Sequence, residues 1–180
     1  MALTLEVPEI PEVFRKSLPA GMKIVRRGER DLLVVEQLFC RHGCNLVTPT
    51  VKIHGQNAVC FSIRAGGAQG LVFVDAFWGG HKKLFDFMFA GSERDPVVDA
   101  FCPHCKVLLS VEGRCQRPEC SSERKIEFYL ADASNRILTC ARWGCPEHEL
   151  LVSSLPMEVL ENVSRTNFFG EGEEAVLGEL

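Results

Sequence analysis

Eight of the nine cysteines fall into four close pairs: Cys40 with Cys44, Cys102 with Cys105, Cys115 with Cys120, and Cys140 with Cys145. Thiols at this spacing suit a tight turn that presents two sulfurs to one metal ion, and a second such turn completes a four-sulfur shell. Gly43 and Gly144, each directly before the second cysteine of its pair, give the backbone the freedom such a turn needs. The ninth cysteine, Cys60, lies between Val59 and Phe61 with no cysteine nearby. It reads as a buried, inert thiol, because free cysteine behaves as a small hydrophobe. The other eight make two four-cysteine sites, with one or two zinc ions as the expected load and iron as a possible substitute.

Two partitions of the pairs compete. In one, Cys102, Cys105, Cys115 and Cys120 share a metal, while Cys40, Cys44, Cys140 and Cys145 share another. In the other, Cys102 and Cys105 join Cys140 and Cys145, leaving Cys115 and Cys120 to Cys40 and Cys44. Loop-closure entropy favours the first, since it joins pairs close in sequence. His148, three residues after Cys145, is a substitute ligand; His42, His54, His81 and His104 read as non-ligands.

Cys102-Pro103-His104-Cys105 followed by Cys115 and Cys120 resembles a zinc ribbon, a two-knuckle module, around residues 101–145. The resemblance implies a structural zinc inside a small β unit. Phe101-Cys102-Pro103-His104-Cys105 is also similar to the active-site motif of DsbA-like disulfide oxidases. That family places its first cysteine at a helix N-terminus in a thioredoxin fold, whereas residues 106–113 here read as strand.

The elements that must hold these knuckles are mostly strands. Residues 22–27 and 32–39 flank a Gly28-Glu29-Arg30-Asp31 turn and fit a hairpin whose second strand runs into Cys40. Strands follow at 51–54, 58–64 and 71–77, with a hairpin loop at 66–70. Residues 81–89 are too apolar for a loop and suit either a buried helix or a strand. Further strands fall at 107–111, 125–130 and 136–139, the last two joined by a loop at 131–135. Residues 11–17 can form a short helix with Pro11 in its first turn. Ser154 is placed to cap a second helix from about 156 to 165, with Val159, Leu160 and Val163 as its apolar stripe.

The expected fold is therefore β-rich, mainly antiparallel sheet, with a zinc-ribbon module and a short C-terminal helix. The expected divisions are a β-rich unit at 1–95 carrying one knuckle, a cysteine-rich unit at 96–152, and a helix with an acidic tail at 153–180. The soft boundary is the polar stretch 91–96.

Function classes narrow from composition. The chain has 180 residues, 46% of them hydrophobic, and a formal net charge of −4. No apolar run reaches the length of about 18 residues needed to span a membrane. Residues 1–8 lack the basic start and apolar core of an export signal, so a cytoplasmic setting with reduced thiols is expected. Basic residues crowd residues 15–30 and acidic ones the last 25, which reads as solvated faces at opposite ends, the alternative being that the two ends attract each other. There is no Gly-x-Ser-x-Gly, no phosphate-cradling loop and no His-Glu-x-x-His, which argues against an enzyme. Glu147-His148-Glu149 reads as a solvated turn. The expected role is a zinc-stabilised, non-catalytic accessory or adaptor protein that binds another protein, or a small subunit or homo-oligomer. One alternative is nucleic-acid binding through Arg41, Arg114, Arg117, Arg142 and Trp143. The others are a thiol oxidoreductase and a rubredoxin-like electron carrier.

Overall fold

The computed structural model describes residues 9–80, 82–87 and 95–165. Strands β1 (Met22–Arg27) and β2 (Arg30–Val35) form a hairpin in register from Met22 opposite Val35 to Arg27 opposite Arg30. A second sheet holds β3 (Val47–Ile53), β4 (Gln56–Ala65), β5 (Ala68–Val74) and β6 (Lys83–Phe85) in that order. Strand β7 (Asp99–Phe101) pairs with residues 62–64 of β4, beyond the reach of β3. The third sheet holds β8 (Ser110–Glu112), β9 (Arg124–Tyr129), β10 (Arg136–Cys140) and β11 (His148–Leu151), ordered β11-β10-β9-β8. Every strand pairing is antiparallel. Two helices, α1 (Glu12–Lys16) and α2 (Met157–Arg165), complete the described chain.

The β-rich, mainly antiparallel expectation holds, and so does the short helix near the C-terminus. The stretch 81–89 resolves as strand at β6, paired with β5 from Val72 opposite Phe85 to Val74 opposite Lys83. Residues 81, 88 and 89 lie outside the described residues, as do residues 91–94 of the expected boundary and the acidic tail. Strand β7 has no counterpart in the sequence reading, because three residues are too few to show an alternation.

One hydrophobic core runs through the second and third sheets. It takes Val59, Phe61 and Ile63 from β4, Ile126 and Phe128 from β9, Ile137 from β10 and Leu150 from β11. The Phe61 and Phe128 rings meet at 5.5 Å and 58°, a tilted geometry that suits the ring quadrupoles. Strand β4 is buried almost throughout rather than on alternate residues, as a strand covered on both faces must be. Helix α2 lays Leu160 and Val163 into the same core. Burying such side chains contributes about 1.5–3 kcal/mol each. The Trp78 Nε1–H donates to the Val163 carbonyl at 2.9 Å, and the Leu150 amide donates to Ser164 Oγ at 2.8 Å. These bonds fasten α2 across the end of the core.

The N-terminal basic residues find local partners. Arg15 pairs with Asp31 at 2.8 Å, Lys23 with Glu36 at 3.4 Å and Arg26 with Asp31 at 3.4 Å. Among the described residues, no helix is long and apolar enough to cross a membrane.

Candidate metal centres

Two groups of four cysteines can each hold a metal ion: Cys40, Cys44, Cys102 and Cys105, and Cys115, Cys120, Cys140 and Cys145. Within each group all sulfurs lie within 4.8 Å of one another. Neither expected partition is observed. The Cys102 knuckle joins the upstream pair, and the Cys115 pair joins the downstream one. The two-knuckle unit of Cys102, Cys105, Cys115 and Cys120 is thus divided between the groups.

Sheet topology is the reason. Cys102 and Cys105 precede β8, whereas Cys115 and Cys120 follow it. A strand carries the chain from one end of its sheet to the other, so β8 separates these knuckles. The hairpin of β9 and β10 then returns the chain, bringing Cys140 opposite Lys125 at the start of β9. The Cys115 and Cys140 knuckles therefore share one end of the sheet. At the other end, Phe39 exchanges backbone hydrogen bonds with Tyr129, at 2.7 and 2.8 Å. The Leu109 amide donates to Ala100 O at 2.7 Å and the Glu127 amide to Leu109 O at 2.9 Å. These bonds bring the Cys40 and Cys102 knuckles together. The two groups thus cap opposite ends of β9, whose six residues span about 20 Å at about 3.4 Å each.

In the first group Cys40 and Cys102 are buried, Cys44 is half-buried and Cys105 is exposed. The Gly43 amide donates to Cys40 O at 2.9 Å and the Cys44 amide to Cys40 Sγ at 3.4 Å. Arg41 crosses to the Leu108 carbonyl. In the second group Cys115, Cys120 and Cys140 are buried and Cys145 half-buried. Its turns close through the Cys120 amide on Arg117 O at 3.0 Å and the Cys145 amide on Arg142 O at 3.1 Å. The Arg142 amide donates to Cys140 Sγ at 3.4 Å. Gly43 and Gly144 adopt φ of +85° and +87°, a region that glycine enters freely and other residues rarely.

The donor set fits a tetrahedral metal. A metal–sulfur distance of about 2.3 Å gives a tetrahedron edge of about 3.8 Å. The measured separations are 3.8 Å for Cys40 and Cys105, 3.7 Å for Cys115 and Cys145, and 3.7 Å for Cys120 and Cys140. A disulfide would bring sulfurs to about 2.05 Å, and all nine cysteines are free.

The ionisation pattern agrees. Burial, then the neighbouring Cys40, Cys105 and Cys102 sulfurs, push the Cys44 thiol up to about 12. Burial, opposed by the Glu147 amide and reinforced by the Cys140 charge, lifts Cys145 to about 11. Cys115 is raised by burial and then by the Glu147 carboxylate. Cys40 moves the other way: burial alone would raise it, but the Cys44 and His42 amides and neighbouring thiols lower it overall. Cys120 behaves likewise through the Ser122 amide and its three companions. Each group thus stabilises one thiolate at the expense of others, because like charges this close cannot all form unaided. A bound cation removes that conflict and deprotonates its thiol ligands outright.

The remaining residues singled out in the sequence take structural positions. Cys60 is buried in β4, in neither group, and burial raises its thiol, with the Asp86 and Cys102 charges adding. His42 and His104 are exposed and belong to neither group. His148 is no member either: its Nδ1 donates to Pro146 O at 2.9 Å and its ring stands edge-on to Trp78 at 4.6 Å. Glu147-His148-Glu149 is not a solvated turn. His148 opens β11, the half-buried Glu147 side chain accepts from the Gln116 amide at 2.7 Å, and buried Lys125 lies 3.1 Å from Glu149. His54 and Asp75, which sequence reasoning missed, form a buried hydrogen-bonded pair 2.7 Å apart with side chains 1% and 0% exposed. Asp75 also accepts from the Phe77 amide at 3.0 Å. His81 lies outside the described residues.

A cavity of about 160 Å³ lies between the sheets beside the second group, lined by Phe61, Trp78, Lys83, Phe128 and Trp143 among others. Within it the Lys83 ammonium lies over the Trp143 ring, 4.4 Å from its centroid. No family model matches the chain, and neither a curated protein nor a solved structure gives a significant match.

Proposed function

We propose that both groups hold zinc as closed, structural sites and that the chain is a non-catalytic accessory protein that binds another protein. The observation that carries the zinc reading is the convergence of four sulfurs at tetrahedral spacing in each group. A closed four-thiolate shell leaves no position for an activated water, so it stabilises the fold rather than performing hydrolysis.

The binding role draws support from β6. This three-residue strand ends the order β3-β4-β5-β6 and exposes Leu84 and Phe85 at 42% and 45%. Phe85 stacks near Phe87 and Trp143, each with ring centroids 6.1 Å away. An edge strand with apolar side chains suits an extended segment of a partner protein. Three of the four arginines read for nucleic acid favour a protein partner instead. Arg117 pairs with Glu119, Arg142 reaches Ser121 Oγ at 3.3 Å, and Arg41 bonds Leu108 O, so these side chains are already engaged within the chain.

Elemental analysis of protein purified without chelator tests the metal reading. About two zinc per chain with no visible absorption is expected. Iron with visible absorption would move the function to electron transfer. A single zinc would remove one of the groups.

A further inference from the structure

We propose that Cys102 and Cys105 form an oxidisable pair, so that a hydroperoxide discharges the metal of the first group while the second keeps its own. This rests on the reading of both groups as zinc sites. Coordination holds all eight sulfurs as thiolates, so access decides which of them an oxidant reaches. Cys105 is exposed and its companion Cys44 half-buried, whereas three of the four sulfurs in the second group are buried. The charges differ in the same direction. The first group's knuckles carry exposed Arg41 and Lys106 and no carboxylate. The second group's knuckles also carry Arg117 and Arg142, but there Glu119 pairs with Arg117 and Glu147 sits on the Cys115 knuckle, accepting from the Gln116 amide at 2.7 Å. A cationic rim favours a thiolate and the departing hydroxide.

The Cys102-Pro103-His104-Cys105 spacing is the shortest of the four pairs, so its disulfide closes the smallest ring. The chemistry balances in two steps. The Cys105 thiolate attacks one peroxide oxygen; the O–O bond breaks, hydroxide leaves and a sulfenic acid forms. The Cys102 thiolate then attacks the Cys105 sulfur; an S–S bond forms, the S–O bond breaks and a second hydroxide leaves. Two electrons pass from the two thiolates to the peroxide. Cys40 and Cys44 alone then remain as donors, too few to retain zinc. The second group still clips the opposite end of β9, so the opening is local, and a dithiol reductant with zinc reverses it.

The test uses the full-length, zinc-loaded protein, hydrogen peroxide and a chromogenic zinc indicator, with disulfides mapped by mass spectrometry. The starting zinc content checks the site reading before any oxidant is added; fewer than two ions per chain would fail that reading alone. From a protein with two, one equivalent is expected to leave at least about tenfold faster than the second, with a Cys102–Cys105 disulfide. Cys105→His, which supplies a nitrogen donor in place of the sulfur, is expected to slow that release to the rate of the second group. Equal release of both ions, or earlier loss from the second group, would overturn the proposal. A disulfide from Cys105 to Cys40 or Cys44 would overturn the role given to Cys102.

Discussion

Gly43 and Gly144 show how one residue type meets two different demands. Both hold a left-handed backbone before the second cysteine of a knuckle. A Cβ on Gly43 would meet nothing within 4 Å, whereas one on Gly144 would sit 2.7 Å from Asp95 Oδ1. Gly43→Ala is therefore expected to cost about 1–2 kcal/mol of backbone strain alone. Gly144→Ala adds displacement of the Asp95 carboxylate and should cost more. Urea unfolding of the zinc-loaded variants measures the difference, and an equal cost would show that Asp95 yields freely. At this scale the sequence was most readable. Spacing alone separated the eight cysteines that gather in the two groups from Cys60, because a knuckle is a local object. The His54 and Asp75 pair was invisible for the opposite reason. Its members are 21 residues apart, and nothing near either one announces the other.

Elements decided what single residues could not. The strand expected at 107–111 already implied that the knuckles on either side of it lie apart. The preference for short loops overrode that implication. A flexible-chain argument treats the segment between knuckles as a coil, and a strand is stiff, so sheet topology overrode loop entropy. The hairpin at 125–139 was legible from its turn residues, and it is this hairpin that returns Cys140 to Cys120. The seat of α2 was legible only in part. Val159, Leu160 and Val163 gave its inward face, but the bond from Trp78 to the Val163 carbonyl spans 85 residues. Trp78→Phe removes that donor and leaves a buried carbonyl without its partner, a loss of about 1–3 kcal/mol. Amide exchange in α2 should quicken more than exchange in β9; uniform quickening would mean that the tryptophan supports the whole core instead of the helix.

Across the whole molecule, the two cysteine groups, loaded with metal as proposed, would act as folding determinants. Coordination requires thiolates, so protons compete with the metal, and the stability it contributes is present at neutral pH and lost as pH falls. Acidification or a strong chelator is expected to lower the melting temperature and loosen both ends of the third sheet. Circular dichroism with zinc readout during an acid titration checks this; full zinc loss with an unchanged melting temperature would mean the core suffices without metal.

The first group closes around residues 45 to 101, 57 in all, while the second closes around residues 121 to 139, 19 in all. On a ribosome adding roughly 5–20 residues per second, the Cys40 knuckle waits about 3–12 s for Cys102 to be made. The later group needs only about 1–4 s for its own completion. The knuckle synthesised first thus spends the longer time half-assembled, and on the zinc reading proposed above the supply of zinc during those seconds would set how many nascent chains close the first site.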